Sequence, residues 1–339
     1  FSYVIKFLRE AAIDPKVKSI KITIYRLSKI SHVASALINA AKNGKKVLVQ
    51  IELQARFDEQ NNITFAGQLE AAGVQLIFGV PGLKVHSKIC VIEREGKNKN
   101  LRFGFISTGN FNESTAKIYT DYTLFTADQK ILKEVNKVFN FLEVSYKLKK
   151  YKHLIVSPHY SKNILSKLID NEIDNNKKGL PSGINLKINN ITNYPLVDKL
   201  YEASQAGVEV KMIVRGVCCL VPGVKGLSEN IKVISVVDKY LEHPRVYIFK
   251  NAGDRKVYIS SADWMTRNIE NRVEVGCPIY DKDLQKEILD TFNISWNDNI
   301  KARIVNQSPQ NNRIKPHTRE LKQRSQLLTY AYYENKLIK

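Results

Sequence analysis

Two stretches decide how this chain folds. Residues 79–92 read Gly-Val-Pro-Gly-Leu-Lys-Val-His-Ser-Lys-Ile-Cys-Val-Ile, and residues 241–249 read Leu-Glu-His-Pro-Arg-Val-Tyr-Ile-Phe. Each sets a histidine two residues ahead of a cation at the mouth of an apolar run: His86-Ser87-Lys88 before Ile89, His243-Pro244-Arg245 before Val246. The spacing of two puts both side chains on one face of a strand.

Working outward from the first stretch, residues 20–25 alternate and predict a strand, 31–43 a helix stopped by Gly44, and 46–53 a second strand. Residues 63–72 predict a helix ending at Gly73, and 74–78 a third strand. After the His86 strand come a hairpin turn at 95–100 and a strand over 102–106, which ends in Ser107-Thr108-Gly109-Asn110. Around the second stretch the order recurs. A strand at 186–188 precedes a helix over 196–206 stopped by Gly207, then strands over 208–214, 231–237, 246–249 and 256–260, the last ending in Ser261-Ala262-Asp263-Trp264. Eleven residues separate Asn110 from Asp121, and eleven separate Asp263 from Glu274; both acids sit in alternating segments. One matched interval is weak, but an ordered series of them argues for a duplicated α/β domain with mixed sheets flanked by helices. The expected boundaries are 1–150, 151–302 and a basic tail 303–339, with a Lys-rich linker near 145–152 and a surface loop at 174–183. The tail carries eight Lys/Arg and two Glu, and 319–332 could form a helix.

The chain has 339 residues, 53 Lys+Arg against 33 Asp+Glu, and a formal net charge of +20. With 43% apolar residues it has material for about two cores, and disorder is disfavoured. No window approaches the roughly 18–20 apolar residues of a membrane span. The N-terminus has neither a signal-peptide layout nor a starting Met, which suggests a fragment of a longer chain. Cys90, Cys218, Cys219 and Cys277 show no metal or disulfide spacing, as in a reducing compartment. The basic excess asks for a polyanion: nucleic acid, an anionic membrane or a phosphate-rich ligand.

A histidine repeated once per half suggests two imidazoles facing each other across a pseudo-twofold cleft. Neutral imidazole can attack phosphorus near neutral pH. Lys88 and Arg245 could bind the same phosphate, while Asn110, Asp121, Asp263 and Glu274 are suited to fix an imidazole tautomer through its second nitrogen. His32, His153, His159 and His317 have no duplicate and read as ordinary structural or surface residues. Arg26, Arg56 and Arg215 follow strands, where guanidinium groups clamp phosphate oxygens bidentately. No P-loop is present.

The duplicated His-x-basic motif with its small-residue turn resembles the phospholipase D superfamily. Longer stretches resemble the C-terminal half of bacterial polyphosphate kinases: Ile24-Tyr25-Arg26, residues 52–59 and 79–88, Thr108-Gly109-Asn110-Phe111-Asn112, Tyr119-Thr120-Asp121, Ile213-Val214-Arg215-Gly216, residues 226–230, Leu241-Glu242-His243 and residues 260–265. The likeness runs from about residue 10 to about residue 300. It implies two tandem phospholipase D-like α/β domains and reversible transfer of the ATP γ-phosphate to the end of inorganic polyphosphate, with Mg2+, through a phosphohistidine. By position His86 corresponds to the phosphorylated nucleophile and His243 to a second catalytic histidine that contacts nucleotide phosphates. Tyr119 and Arg215 match nucleotide-contacting positions, and Arg26 and Arg56 match positions beside magnesium. Arginine has no lone pair for a metal, so these two are read as binding phosphate oxygens or waters around the ion. Asp121 and Glu274 are supporting residues. The family implies a homo-oligomeric, cytoplasmic full-length protein, peripheral at the inner membrane, with no nucleic-acid partner. Two further N-terminal family domains are absent from this chain, so it is expected to fold but to show weak or no ATP-dependent synthesis.

Two other readings compete. A phospholipase D-like phosphodiesterase or nuclease needs an acid five residues after the cation in both halves; Glu93 supplies one after Lys88, but Lys250 stands after Arg245. A non-catalytic polyanion-binding fragment is the other.

Overall fold

The computed structural model describes residues 1–52, 59–97, 100–144, 150–306, 311–316 and 321–337. In chain order the elements begin α1 (Ser2–Ile13), β1 (Val17–Ile24), α2 (His32–Lys42), β2 (Lys46–Ile51), α3 (Glu59–Ala71), β3 (Gln75–Phe78), β4 (Lys84–Val85), β5 (Ile89–Arg94), β6 (Leu101–Ser107), β7 (Tyr119–Thr120), β8 (Thr123–Thr126), α4 (Gln129–Glu143) and β9 (Ile155–Ser157). They continue α5 (Ser161–Lys177), β10 (Ile184–Ile188), α6 (Tyr194–Gln205), β11 (Val210–Val214), β12 (Ile231–Val236), β13 (Leu241–Glu242), β14 (Arg245–Phe249), β15 (Lys256–Ser260), α7 (Thr266–Glu270), β16 (Arg272–Ile279), α8 (Lys282–Trp296), β17 (Ala302–Val305) and α9 (Ser325–Leu337). The chain forms two compact units, Phe1–Tyr160 with Glu270–Cys277, and Ser161–Ile269 with Pro278–Lys339.

Unit 1 is built on a six-stranded sheet of order β3-β2-β1-β5-β6-β8. β1, β2 and β3 run parallel, while β5 and β6 are antiparallel to their neighbours. On one face α1 and α2 bury Val4, Leu8, Val33 and Leu37 against Ile20, Ile22 and Ile24 of β1. Each such side chain withdrawn from water is worth about 1.5–3 kcal/mol. α4 starts where the Asp128 carboxylate caps the amides of Lys130 and Ile131, and it packs on β5 and β6.

Unit 2 repeats the pattern with β12-β11-β10-β14-β15. β10, β11 and β12 are parallel, and β14 and β15 are antiparallel to their neighbours. The helix–Gly–strand punctuation is the same in both units. Gly44 (φ 77°) and Gly207 (φ 87°) take the left-handed conformation that ends α2 and α6. The next residue's amide then reaches back five residues, Lys45 to Ala40 O and Val208 to Ala203 O.

Three local expectations change. Residues 174–177 are the last turn of α5 rather than loop, because Ile169, Glu172, Ile173 and Asn175 form a buried stripe beneath an Asn-rich surface. The expected boundary between 302 and 303 falls inside β17, which pairs antiparallel with the outer edge of β12, and the tail's helix, α9, packs on α8. Residues 270–277, expected with the second half, cluster with unit 1. Most of the expected linker, 145–149, lies outside the described residues. Among the described residues no helix is long and apolar enough to cross a membrane.

Candidate active site

In unit 1 the two-residue strand β4 pairs parallel with Arg272 and Val273 of β16. The amides of His86 and Ser87 then both donate to Val273 O at 2.9 Å. This grip brings Glu274 against the His86 ring, whose Nδ1–H donates to the carboxylate oxygens at 2.9 and 3.0 Å. Nδ1 is therefore the protonated nitrogen, and no hydrogen-bond partner meets Nε2 among the described residues. The Glu274 side chain is 1% exposed and that of His86 12% exposed, so the carboxylate is sealed while the ring keeps an open edge. Burial pushes the imidazole down to about 3; Glu274 pulls it upward, and Lys88 and Arg272 push it down. His86 is thus uncharged at neutral pH, with a lone pair available on Nε2.

Tyr25, the residue after β1, packs edge-on against His86 with ring centroids 5.0 Å apart. The Lys88 ammonium lies 5.6 Å from the Tyr25 ring centre and donates to the His86 carbonyl. Arg26 lies over the same ring at 5.6 Å.

In unit 2 the equivalent histidine is held differently. Arg245 Nη1 lies 3.0 Å from His243 Nε2 and 2.8 Å from the His243 carbonyl. A guanidinium only donates, so Nε2 of His243 is an acceptor. The rest of the guanidinium is paired with Asp263, Nε and Nη2 each at 3.2 Å. Burial raises the Asp263 carboxyl, but Arg245, the Asn189 amide and Asn190 outweigh it and hold the group down at about 2. Asn189, the residue after β10, donates to the His243 carbonyl at 3.1 Å, gives its amide to Asp263 at 2.8 Å and accepts from Arg215 Nε at 2.7 Å. Asn189 and Tyr25 occupy the same place in the repeat, one residue past the central strand, and neither stands out by its type.

The spacing placed Glu274 in the second repeat, suited to orient an imidazole; its carboxylate meets the histidine of the first repeat. Asp263, read as orienting an imidazole, acts on Arg245 instead. Asn110, Tyr119 and Asp121 line a cavity of about 270 Å³ in unit 1 together with Ser107 and Phe111, and Asp121 accepts from Thr108 Oγ1 at 2.6 Å. Arg56 lies outside the described residues. For magnesium, Arg26 offers no donor atom, and among the described residues no group of three or more His, Cys, Asp or Glu side chains could hold a metal. The described residues therefore do not fit a protein-ligated ion.

Comparison with known proteins accounts for both units. The model of polyphosphate kinase C-terminal domain 1 matches residues 1–148, and that of C-terminal domain 2 matches residues 154–326. The polyphosphate kinases of Escherichia coli K12 and Klebsiella pneumoniae are 50% and 51% identical over 99% of this chain. The chain spans about half the length of these curated relatives, 48% and 49%. The crystal structure of polyphosphate kinase from Porphyromonas gingivalis matches at a TM-score of 0.91 and 41% identity, over 98% of this chain and 51% of that one. A phosphatidylserine synthase from Haemophilus influenzae matches at a TM-score of 0.58 and 12% identity, over 99% of this chain and 92% of that one, a likeness of fold alone. The two units share one mixed α/β architecture, and the chain belongs to the polyphosphate kinase family, as its C-terminal half.

Proposed function

We propose that this chain carries the phosphoryl-transfer centre of an ATP–polyphosphate phosphotransferase, with His86 as the nucleophile. One observation carries the reading: Glu274 fixes the proton of His86 on Nδ1 and leaves Nε2 as an unprotonated lone pair. In the forward step Nε2 attacks the γ-phosphorus of ATP. The P–N bond forms, the bond to the β,γ-bridging oxygen breaks, and ADP leaves with that electron pair. The phosphorylated ring keeps its Nδ1 proton, and its positive charge faces the Glu274 carboxylate. A terminal oxygen of polyphosphate then attacks the same phosphorus, the P–N pair returns to Nε2, and the chain is one unit longer. A phosphoramidate and a phosphoanhydride are close in transfer potential, so both steps reverse.

His243 is assigned as the second histidine of this reaction. Tyr119 and Arg215 are assigned to the nucleotide, and Arg26, Arg56, Lys88 and Arg245 to phosphate binding or to holding the histidines. Asn110 and Asp121 in unit 1, and Asp263 in unit 2, are assigned supporting roles. Magnesium, if carried in on the nucleotide phosphates, would supply neutralising charge there, and the chain's own part is the phosphate binding by Arg26, Arg56 and Lys88. As the family implies, the full-length protein is a homo-oligomer at or near the cytoplasmic face of the membrane.

Incubation with γ-³²P-labelled ATP tests the assignment. Acid-labile, base-stable label is expected on the wild-type chain and none on His86→Ala. Label that persists in that variant, or cleavage of a generic phosphodiester with no label at all, would sink it, the latter in favour of a phosphodiesterase. The same assay with the N-terminal family domains restored is expected to show faster ATP-dependent synthesis than this chain alone.

A further inference from the structure

The C-terminal segment makes contacts with one place in unit 2 that chain-end packing does not require. The Gln326 side chain mimics a strand neighbour of Tyr240: its Oε1 accepts from the Tyr240 amide at 2.9 Å and its Nε2 donates to the Tyr240 carbonyl at 2.8 Å. The same Nε2 donates to Glu242 Oε1 at 2.8 Å. Two residues before Gln326, Arg324 grips Asp238 bidentately at 2.6 and 2.7 Å. The segment is itself anchored. Asp298 accepts the Ser325 amide at 2.7 Å, and Asn299 pairs through its side chain and backbone with Gln323. The residues gripped by the side chains of Arg324 and Gln326 lie in the five that precede His243. The last of them, Glu242, is nearly buried, and its other oxygen forms an ion pair with Lys187 at 2.7 Å.

We propose that Gln323–Gln326 is a positioning clamp for His243, with Gln326 and Arg324 fixing the 238–242 approach and Glu242 passing the constraint to the histidine through one peptide unit. A buried carboxylate held by two directional partners cannot shift without breaking its Lys187 ion pair or its Gln326 hydrogen bond, which is costly at low exposure. The clamp sets where the His243 backbone lies, while Asn189 and Arg245 hold its carbonyl. Gln326 and Arg324 are positioning residues, and their catalytic consequence rests on the proposed role of His243.

The test compares Gln326→Ala and Arg324→Lys with wild type. The second variant keeps the charge opposite Asp238 and loses the bidentate grip, so it stands if the first fails to fold. Each is treated with diethyl pyrocarbonate, and modification of His243 and His86 is followed separately by peptide mass spectrometry. Polyphosphate synthesis and thermal midpoint are measured alongside. In the folded variants carbethoxylation of His243 is expected to rise several-fold while that of His86 stays within about twofold. Turnover is expected to fall on the order of 10- to 100-fold with nucleotide KM little changed, the scale for misplacing a reacting group by about 1 Å. Unchanged His243 reactivity would overturn the clamp, as would a parallel rise at both histidines tracking the thermal midpoint, which marks general loosening. Absence of label on wild-type His86 would instead remove the catalytic reading, and the His243 reactivity would still decide the clamp.

Discussion

Glu274 does for His86 what no other described residue does: it chooses which ring nitrogen carries the proton. Carboxylates that fix a catalytic imidazole in this way are worth on the order of 10⁴ in turnover. Glu274→Gln keeps the shape but can present an amide N–H to Nδ1 and favour the wrong tautomer. ³²P labelling of His86 is expected to slow by about 100-fold or more, with the fold retained by circular dichroism. The depressed pKa of His86 has its own signature. Its folded value of about 3 lies below the ordinary 6.5, so between those values the unfolded chain binds the proton and the native ring does not. Stability therefore falls as pH drops below about 6.5, and the loss levels off near the folded value. The His86 ring resonances are expected to stay constant from pH 8 to pH 5; a midpoint near 6.5 would refute the buried, neutral ring. At this scale the sequence disclosed the two histidines and their cations, because duplication marks them. It left open which imidazole Glu274 would meet: that depends on which strand β4 pairs with. Tyr25 and Asn189 escaped for a different reason, since position after a strand, not residue type, gives them their role.

At the scale of elements, glycine and capping residues made much of the order legible. Gly44 and Gly207 could be placed because a helix that stops in the left-handed conformation calls for glycine. α5 was partly hidden by its Asn- and Asp-rich end, where side chains that favour turns sit on the outer face of a helix held by its buried stripe. Gly104 illustrates a constraint of a kind no local pattern reveals. A Cβ there would lie 2.1 Å from the Cys90 carbonyl oxygen across the β5–β6 pair, and 3.1 Å from Leu132 of α4. Backbone cannot yield as a side-chain tip does. Gly104→Ala is expected to destabilise the chain by about 1–3 kcal/mol, read as a lowered urea midpoint.

The two units share a strand order and a set of strand directions, so the duplication read from the sequence is a duplication of topology. Local pairs such as Lys187–Glu242, Arg94–Asp14 and Arg324–Asp238 take up a cation and an anion alike, so they leave the +20 excess as a remainder. If the remainder binds a linear polyphosphate, the logarithm of affinity should fall linearly with the logarithm of salt concentration. Arg26→Ala should reduce that slope by about one. A salt-independent affinity would contradict the electrostatic reading. The 188 residues between His86 and Glu274 also bear on how the protein is made. At roughly 5–20 residues per second, translation needs on the order of 10–40 s to pass from one to the other. For that interval a nascent chain carries His86 without the carboxylate that fixes its tautomer, and the proton on the ring is free to sit on either nitrogen. The ring's proton is placed only by the late arrival of a strand from the second half of the sequence, so a ribosome stalled anywhere before residue 274 holds a histidine of unfixed tautomer.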